Sequence, residues 1–244
     1  MKQLIPAVVR RTTRVGQRWL QDVQRGDYRR LVQFSPPRIE KGKSLTPTLQ
    51  LVQAIKATEF AENKIHNVTL ATQSLNDVAI EPGELFSFWT LVGPPTARRG
   101  YLPGRSLVNN QLQAEYGGGL CQLSGMLHYL ALKAGLEIVE RHAHSIDLYT
   151  DETRFAPLGS DATVVYGYKD FRVLNSLDQP ICFQVEVTPE AMTAWLCAAT
   201  PVTGYRIEFA TQVQGGWTEV ETWRWLDPDT APQCLGKSRY TRLT

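Results

Sequence analysis

Apolar residues recur at three- and four-residue spacing through Leu120, Leu123, Leu127, Leu130, Ala131 and Ala134, the signature of one face of an amphipathic helix. That spacing predicts a helix over Leu120–Lys133, ended by Gly135. Cys121 lies off the stripe, roughly 130° round from its centre at ~100° per residue, which places it in the helix's first turn but not in the core. A further helix is expected to start near Thr46–Pro47, with proline in a tolerated first-turn position. Another is expected from Asn67, as N-cap, through Leu70, Ala71 and Leu75. Alternation and short apolar runs predict strands over Val78–Ile80, Leu85–Phe88, Glu137–Arg141, Asp161–Gly167, Phe171–Asn175, Ile181–Val187 and Met192–Ala198. Prolines and glycines crowd Gly93 to Gly104, predicting a loop, and Leu107 to Tyr116 leads in extended form into Gly117. The expected fold class is α+β, with helices mainly in the N-terminal half, an antiparallel β-sheet in the C-terminal half, and a cysteine at the start of a central helix.

The same pass divides the chain. Residues 1–45 read as a basic helical segment and a linker through Ser35-Pro36-Pro37 and Lys41-Gly42-Lys43. Residues 46–200 read as the main domain, and 201–244 as a β-rich extension packed on it, with Trp217, Trp223 and Trp225 close together. The length suits one substantial domain with an appendage.

Charge changes the picture only at the N-terminal end. Residues 1–43 carry eleven Lys or Arg against three Asp or Glu, inside a chain of net charge +2. Arg10, Arg11, Arg14, Arg18, Arg25, Arg29 and Arg30 alternate with Leu4, Val8, Val15, Trp19 and Leu20, as in a basic amphipathic helix. Two readings stand: peripheral contact of residues 1–30 with an anionic membrane face, or a solvated helix packed on the domain by one side. Nucleic acid is not expected, since the basic character stops at residue 43. Leu4 to Val9 contains Pro6 and is cut short by Arg10-Arg11, too brief for a secretory core, and no stretch approaches the ~18 apolar residues of a membrane span. The expectation is a cytoplasmic protein, with the inner membrane surface as the sharper alternative.

The candidate chemistry centres on Gly117-Gly118-Gly119 and the Leu120-Cys121-Gln122 that follows. Glycines let backbone approach a ligand and adopt positive φ. A helix start offers unsatisfied N–H groups and a positive dipole end, which favour the thiolate, the reactive form of cysteine. Cys121 is therefore the candidate nucleophile, with backbone amides of Gly117, Gly118, Gly119 and Gln122 as candidate oxyanion donors. Cys182, Cys197 and Cys234 fit the usual packing role of free cysteine. No C-x-x-C spacing suggests zinc, and no cofactor is expected.

A nucleophile needs a base, and the base an orienter. His128 shares nearly the same helix face as Cys121, but seven residues of rise, roughly 10 Å, rule out a direct hydrogen bond. His66 is expected at the surface. His142 and His144 follow the strand ending at Arg141 and point the same way in extended chain, so spacing leaves both open. Asp161 is a candidate orienter, or equally the cap of a turn.

Asn67, the Pro82-Gly83-Glu84-Leu85-Phe86-Ser87-Phe88 segment, Gly100-Tyr101, Gly-Gly-Gly-Leu-Cys-Gln at 117–122, His144 and Asp161-Ala162-Thr163-Val164 together resemble the VanW family over about residues 60–190. The resemblance implies a link to glycopeptide resistance and, from some exported members, a cysteine-dependent L,D-transpeptidase acting on peptidoglycan stem peptides or their precursors. It favours His144 over His142 and assigns Cys121, His144 and Asp161 as the catalytic set. Trp89, Tyr101 and Arg141 are then expected to hold the peptide and its carboxylate. The alternative is a non-catalytic accessory that binds cell-wall precursor or a partner through the same cleft.

Overall fold

The computed structural model describes residues 7–32, 45–56, 58–108, 111–147, 156–226 and 231–242; the expected linker at 35–43 lies outside them. The fold is α+β. Helix α1 (Ala7–Arg25) leads to strand β1 (Thr46–Ala54), helix α2 (Ala61–Leu75), strand β2 (Leu85–Ser87) and the short helix α3 (Phe88–Val92). Strands β3 (Pro103–Val108) and β4 (Gln111–Tyr116) pair as a hairpin that delivers the chain to α4 (Leu120–Lys133). Strands β5 (Glu137–Glu140), β6 (Ile146–Asp147), β7 (Arg172–Leu174), β8 (Ile181–Val187) and β9 (Ala191–Ala198) follow. The last three are β10 (Arg206–Gln214), β11 (Trp217–Trp225) and β12 (Gln233–Arg242).

Where a helix is expected from Thr46, the chain forms a strand that pairs antiparallel with β9, in a sheet of order β1–β9–β8. The reason is the two-residue period: Leu49, Leu51 and Gln53 turn inward while Gln50 and Val52 are exposed. Pro47 sits beside a bulge on this edge strand, where its missing N–H removes no needed ladder bond. Helix α2 also begins earlier than expected, so Asn67 is a fully buried mid-helix residue and not a cap. Its first turn, Ala61-Glu62-Asn63-Lys64, is half-buried and mostly polar, which hid the start from an apolar count. Phe88 opens α3, capped by the Ser87 hydroxyl, and does not extend β2. Helix α4 and strand β8 match the ranges expected of them, and β9 begins one residue earlier.

One core joins these parts. Leu75, Phe86, Phe88, Leu123, Leu127, Leu130, Phe171 and Phe183 are buried together, with α2 and α4 laid on the β1–β9–β8 sheet. Cys182 and Cys197 face each other across β8 and β9, buried and unlinked. The segment from Tyr205 forms a regular meander, β10–β11–β12. Its strand β12 pairs in parallel with β6, so this sheet takes in a strand from the middle of the chain.

Helix α1 docks by charge. Arg18 forks onto Glu140 (Nη1 to Oε1, 3.1 Å; Nη2 to Oε2, 2.5 Å), and Arg172 grips Asp22 bidentately at 2.6 and 2.9 Å. Asp170, fully enclosed, accepts from Ser87, from the Trp89 and Phe171 amides and from Arg172 Nε. Among the described residues no helix is long and apolar enough to cross a membrane.

Candidate active site

Four residues on one face of α4 dock the segment 160–164. Cys121, Ser124, Gly125 and His128 are spaced three, one and three apart, which aligns them along the helix. His128 Nδ1–H donates to Ser160 O at 2.8 Å, Ser124 Oγ donates to Ala162 O at 2.6 Å, and Cys121 Sγ lies 3.7 Å from Val164 O. Alternate carbonyls of the segment thus meet successive turns of the helix. Gly125 lets the backbones close up: a Cβ there would stand 3.4 Å from Asp161 Cα. On its other side the segment is tied by Thr163 N–H to His142 O at 2.7 Å.

This explains a correction. Asp161–Gly167, expected as a strand, joins no sheet and forms only an isolated bridge at Val165. Its buried carbonyls are satisfied by side chains of α4, so it needs no neighbouring strand.

The docking brings Cys121, His144 and Asp161 together. His144 Nδ1–H donates to Asp161 Oδ2 at 2.7 Å, and the His144 amide donates to the same oxygen at 2.7 Å. The Cys121 side chain is the other neighbour that acts on the His144 ring, by hydrogen bonding and by charge. Burial alone would strip the His144 proton, but the Asp161 and Cys121 interactions outweigh it and hold the imidazolium up to about 10. Asp161 would be pushed up by burial, yet His144, Arg141 and Tyr240 hold it well below the usual carboxylate range.

His142 takes a different place. Its Nε2–H donates to Glu140 at 2.9 Å, and it lines a cleft of ≈ 240 Å³ with Arg18 and Asp22 of α1. His66 is exposed and reaches Gly100 O from within α2. His128 is buried and pushed down to about 4 by burial and by the Arg141 charge, so it docks the segment as a neutral ring.

The glycine loop is held from outside. Asn67 Nδ2 donates to Gly118 O (3.1 Å) and Leu102 O (2.9 Å), while its Oδ1 accepts from Leu102 N (2.8 Å). Gly119 caps α4 with φ 102°, a conformation that strains any other residue, and a Cβ there would stand 2.6 Å from Lys64 Cγ. The Leu120 amide donates to Gly117 O, and the Gln122 and Leu123 amides to Gly119 O. The Gly117 N–H, which donates to Leu102 O at 3.2 Å, and the Gln122 N–H are therefore engaged, contrary to their expected role as oxyanion donors. Among the described residues, the N–H groups of Gly118, Gly119 and Cys121 meet no protein acceptor.

The three expected substrate contacts are all occupied elsewhere. Tyr101 is 3% exposed and belongs to the core. Trp89 is buried too; its indole N–H donates to Lys169 O, and its ring meets Tyr166 edge-on. Arg141 is a clamp on Asp161: Nε donates to Asp161 O (2.7 Å), and Nη2 to Asp161 Oδ1 (2.9 Å) and Gly159 O (2.8 Å). Its Nη1 bonds the Ser238 hydroxyl. Tyr240, fully buried on β12, donates to Asp161 Oδ1 at 2.6 Å.

Ser124, Gly125 and Tyr240 escape the sequence reading, and Asn67 enters it only as a helix cap and as one residue of the family resemblance. The spacing Cys-x-x-Ser-Gly-x-x-His along one helix face was a usable signal for two of them. Tyr240 lies 79 positions from its partner and carries no local one.

Residues 63–197 match the family described as VanW like protein. Over 129 residues the chain is 36% identical to Vancomycin B-type resistance protein VanW of Enterococcus faecalis (strain ATCC 700802 / V583), covering 53% of this chain and 46% of that one. Over 125 residues it is 35% identical to Uncharacterized protein YoaR of Bacillus subtilis (strain 168), covering 51% of this chain and 40% of that one. The match thus spans less than half the length of each of these curated relatives. No solved structure matches. Cys121, His144 and Asp161 fall inside the matched region, while Ser238 and Tyr240 fall outside it.

Proposed function

The chain belongs to the VanW-like family, and from that premise we propose that it is a cysteine-dependent acyltransferase of the L,D-transpeptidase type, acting on peptidoglycan stem peptides or their precursors. The observation that carries the reading is the contiguous line Cys121–His144–Asp161, with unengaged amides at the helix start beside the sulfur. The substrate class rests on the family resemblance and on the vancomycin-resistance name of the Enterococcus relative.

The reaction runs in two steps. The Cys121 thiolate attacks the carbonyl carbon next to a terminal D-residue, and the oxyanion formed is met by the Cys121 and Gly119 amides. Removing one such donor costs about 2.7–4 kcal/mol of barrier. The C–N bond breaks as His144 passes its proton to the departing amine, leaving a thioester. An acceptor amine then gives His144 a proton and attacks the thioester; the C–S bond breaks and the thiolate returns. Water in place of the amine yields a trimmed peptide. Asp161 keeps Nδ1 protonated, so the other ring nitrogen faces the sulfur.

The test is intact-mass spectrometry after incubation with muropeptides carrying tetrapeptide or pentapeptide stems. A Cys121-dependent acyl adduct, absent in Cys121→Ala, is the expected result. If Cys121 alkylates no faster than Cys182 or Cys197 and no adduct forms, the enzyme reading fails. If Cys121→Ala then still binds the stem peptide, the chain is a binding accessory.

A further inference from the structure

Thr163 carries a hydrogen-bonding group that the fold leaves unmet. Among the described residues its Oγ1 is the one enclosed side-chain nitrogen or oxygen without a partner, and the residue is only 9% exposed. A buried hydroxyl ordinarily finds a partner, because leaving it unpaired costs free energy. Its place follows from the period of the chain. The carbonyls of Ser160, Ala162 and Val164 all turn to α4, a two-residue repeat, so the side chains alternate as well. Ala162 and Val164 point into the core, while half-buried Asp161 and exposed Val165 form an outer row with Thr163 between them. On this side the segment meets the histidines: Thr163 N–H bonds His142 O, and the Asp161 carboxylate holds the His144 ring. That ring lies between Asp161 and Cys121, whose sulfur stands 3.7 Å from Val164 O. The stretch it accompanies, from residue 161 to residue 164, contains Thr163. The unpartnered hydroxyl therefore stands beside the line from His144 to Cys121.

We propose that Thr163 Oγ1 positions the second nucleophile of the reaction, the acceptor amine or water that resolves the thioester; the proposal rests on the acyltransferase reading. A neutral primary amine has two N–H bonds and one lone pair. As its nitrogen bonds to the thioester carbon, one proton passes to His144, and the Thr163 hydroxyl accepts a hydrogen bond from the other. With both N–H bonds directed, the lone pair is aimed at the carbon. Water has the same two protons and fits the same place. The C–S bond then breaks and the thiolate returns, while Thr163 neither gains nor loses a proton. In the first step the nucleophile is the Cys121 sulfur, which α4 already places, so the hydroxyl has nothing to align there. A polar group kept enclosed without a partner in the free protein is thus accounted for by a partner that arrives with the acceptor.

The test uses the full chain and follows the Cys121 adduct by intact-mass spectrometry. A tetrapeptide-stem muropeptide serves as donor; once it is removed, adduct decay is timed in buffer and with a tripeptide-stem muropeptide as amine acceptor. Thr163→Val keeps the shape and deletes the hydroxyl. It should acylate at the native rate but lose its adduct about tenfold more slowly, the scale of one hydrogen bond. Thr163→Ser, which keeps the hydroxyl, should decay like the native protein. Thr163→Val should also melt at or above the native temperature, since it removes a buried polar group that had no partner; a hydroxyl with a merely structural role would lower the melt and leave decay alone. Native decay in Thr163→Val, equal slowing of acylation and decay, slow decay in Thr163→Ser, or a lowered melt of Thr163→Val each overturns the proposal and leaves the acyltransferase reading standing. Absence of any adduct on the native protein overturns both.

Discussion

Two seams hold this molecule's working parts, and they are built from opposite materials. Between α4 and residues 160–164 the contacts are short: a hydroxyl, an imidazole and a thiol on backbone carbonyls, with a glycine where the chains come nearest. Between α1 and the strands β5 and β7 they are long: arginine forks on carboxylates. Short side chains carry little rotamer entropy, so each bond fixes a distance closely. Arginine and glutamate reach across a gap and tolerate adjustment in it. The seam that sets Cys121, His144 and Asp161 beside one another uses the first kind, and the seam under α1 uses the second.

Asp161→Asn strikes the first seam hardest. Loss of the charged orienter should slow acyl-adduct formation on the order of 10⁴-fold, the scale of amide substitution in a triad. It should also move the alkaline limb of Cys121 acylation down from about 10 toward the ordinary histidine value of 6.5, followed by pH–rate profiles. In the native protein the sign is set by a raised histidine. The stability it contributes is complete below 6.5 and is lost as pH rises through about 10. An unchanged limb in the variant would show that Asp161 does not govern the His144 proton.

Asp22→Ala strikes the second seam. The Asp22 and Arg172 side chains are only 10% and 8% exposed, and breaking such a pair costs about 3 kcal/mol, the low end of the range because Asp170 still holds Arg172. Urea unfolding should record that loss, while Cys121 alkylation in the folded state stays at the native rate. A change in alkylation would mean that the seams are coupled and the contrast is false. Tyr240→Phe is the mildest. It removes one donor from an ionised acceptor, worth about 1.5 kcal/mol, and should lower the unfolding free energy by that amount, read as a lower urea midpoint with the m-value unchanged.

The parts of the fold legible in the sequence are those whose partners repeat at a fixed period. Helix α4 and strands β8 and β9 bury one stripe or one face, and the stripe shows. Strand β1 was misread because Pro47 suits both a helix start and an edge strand, and the two-residue alternation decided between them. Asp161–Gly167 alternates like a strand, yet the partners of its carbonyls are side chains on a helix, which leave no ladder to predict. The Cys121–His144–Asp161 set came from local chemistry and family resemblance. Tyr101, Trp89 and Arg141 failed as ligand contacts because a polar or aromatic residue near a motif looks the same whether it faces a peptide or the core. Asn67 and Tyr240 act on the site across the fold, and no window of neighbours contains that information.

The hydrogen bond from Tyr240 to Asp161 also carries a timetable. A polypeptide is made from its N-terminus, so Cys121, His144 and Asp161 all exist before Tyr240 is synthesised. Until β12 docks beside β6, the carboxylate lacks one of its donors and Arg141 lacks its Ser238 and Tyr240 partners. Cys121 therefore spends the early life of the chain beside an incompletely braced histidine, and the full alignment is a late event of maturation.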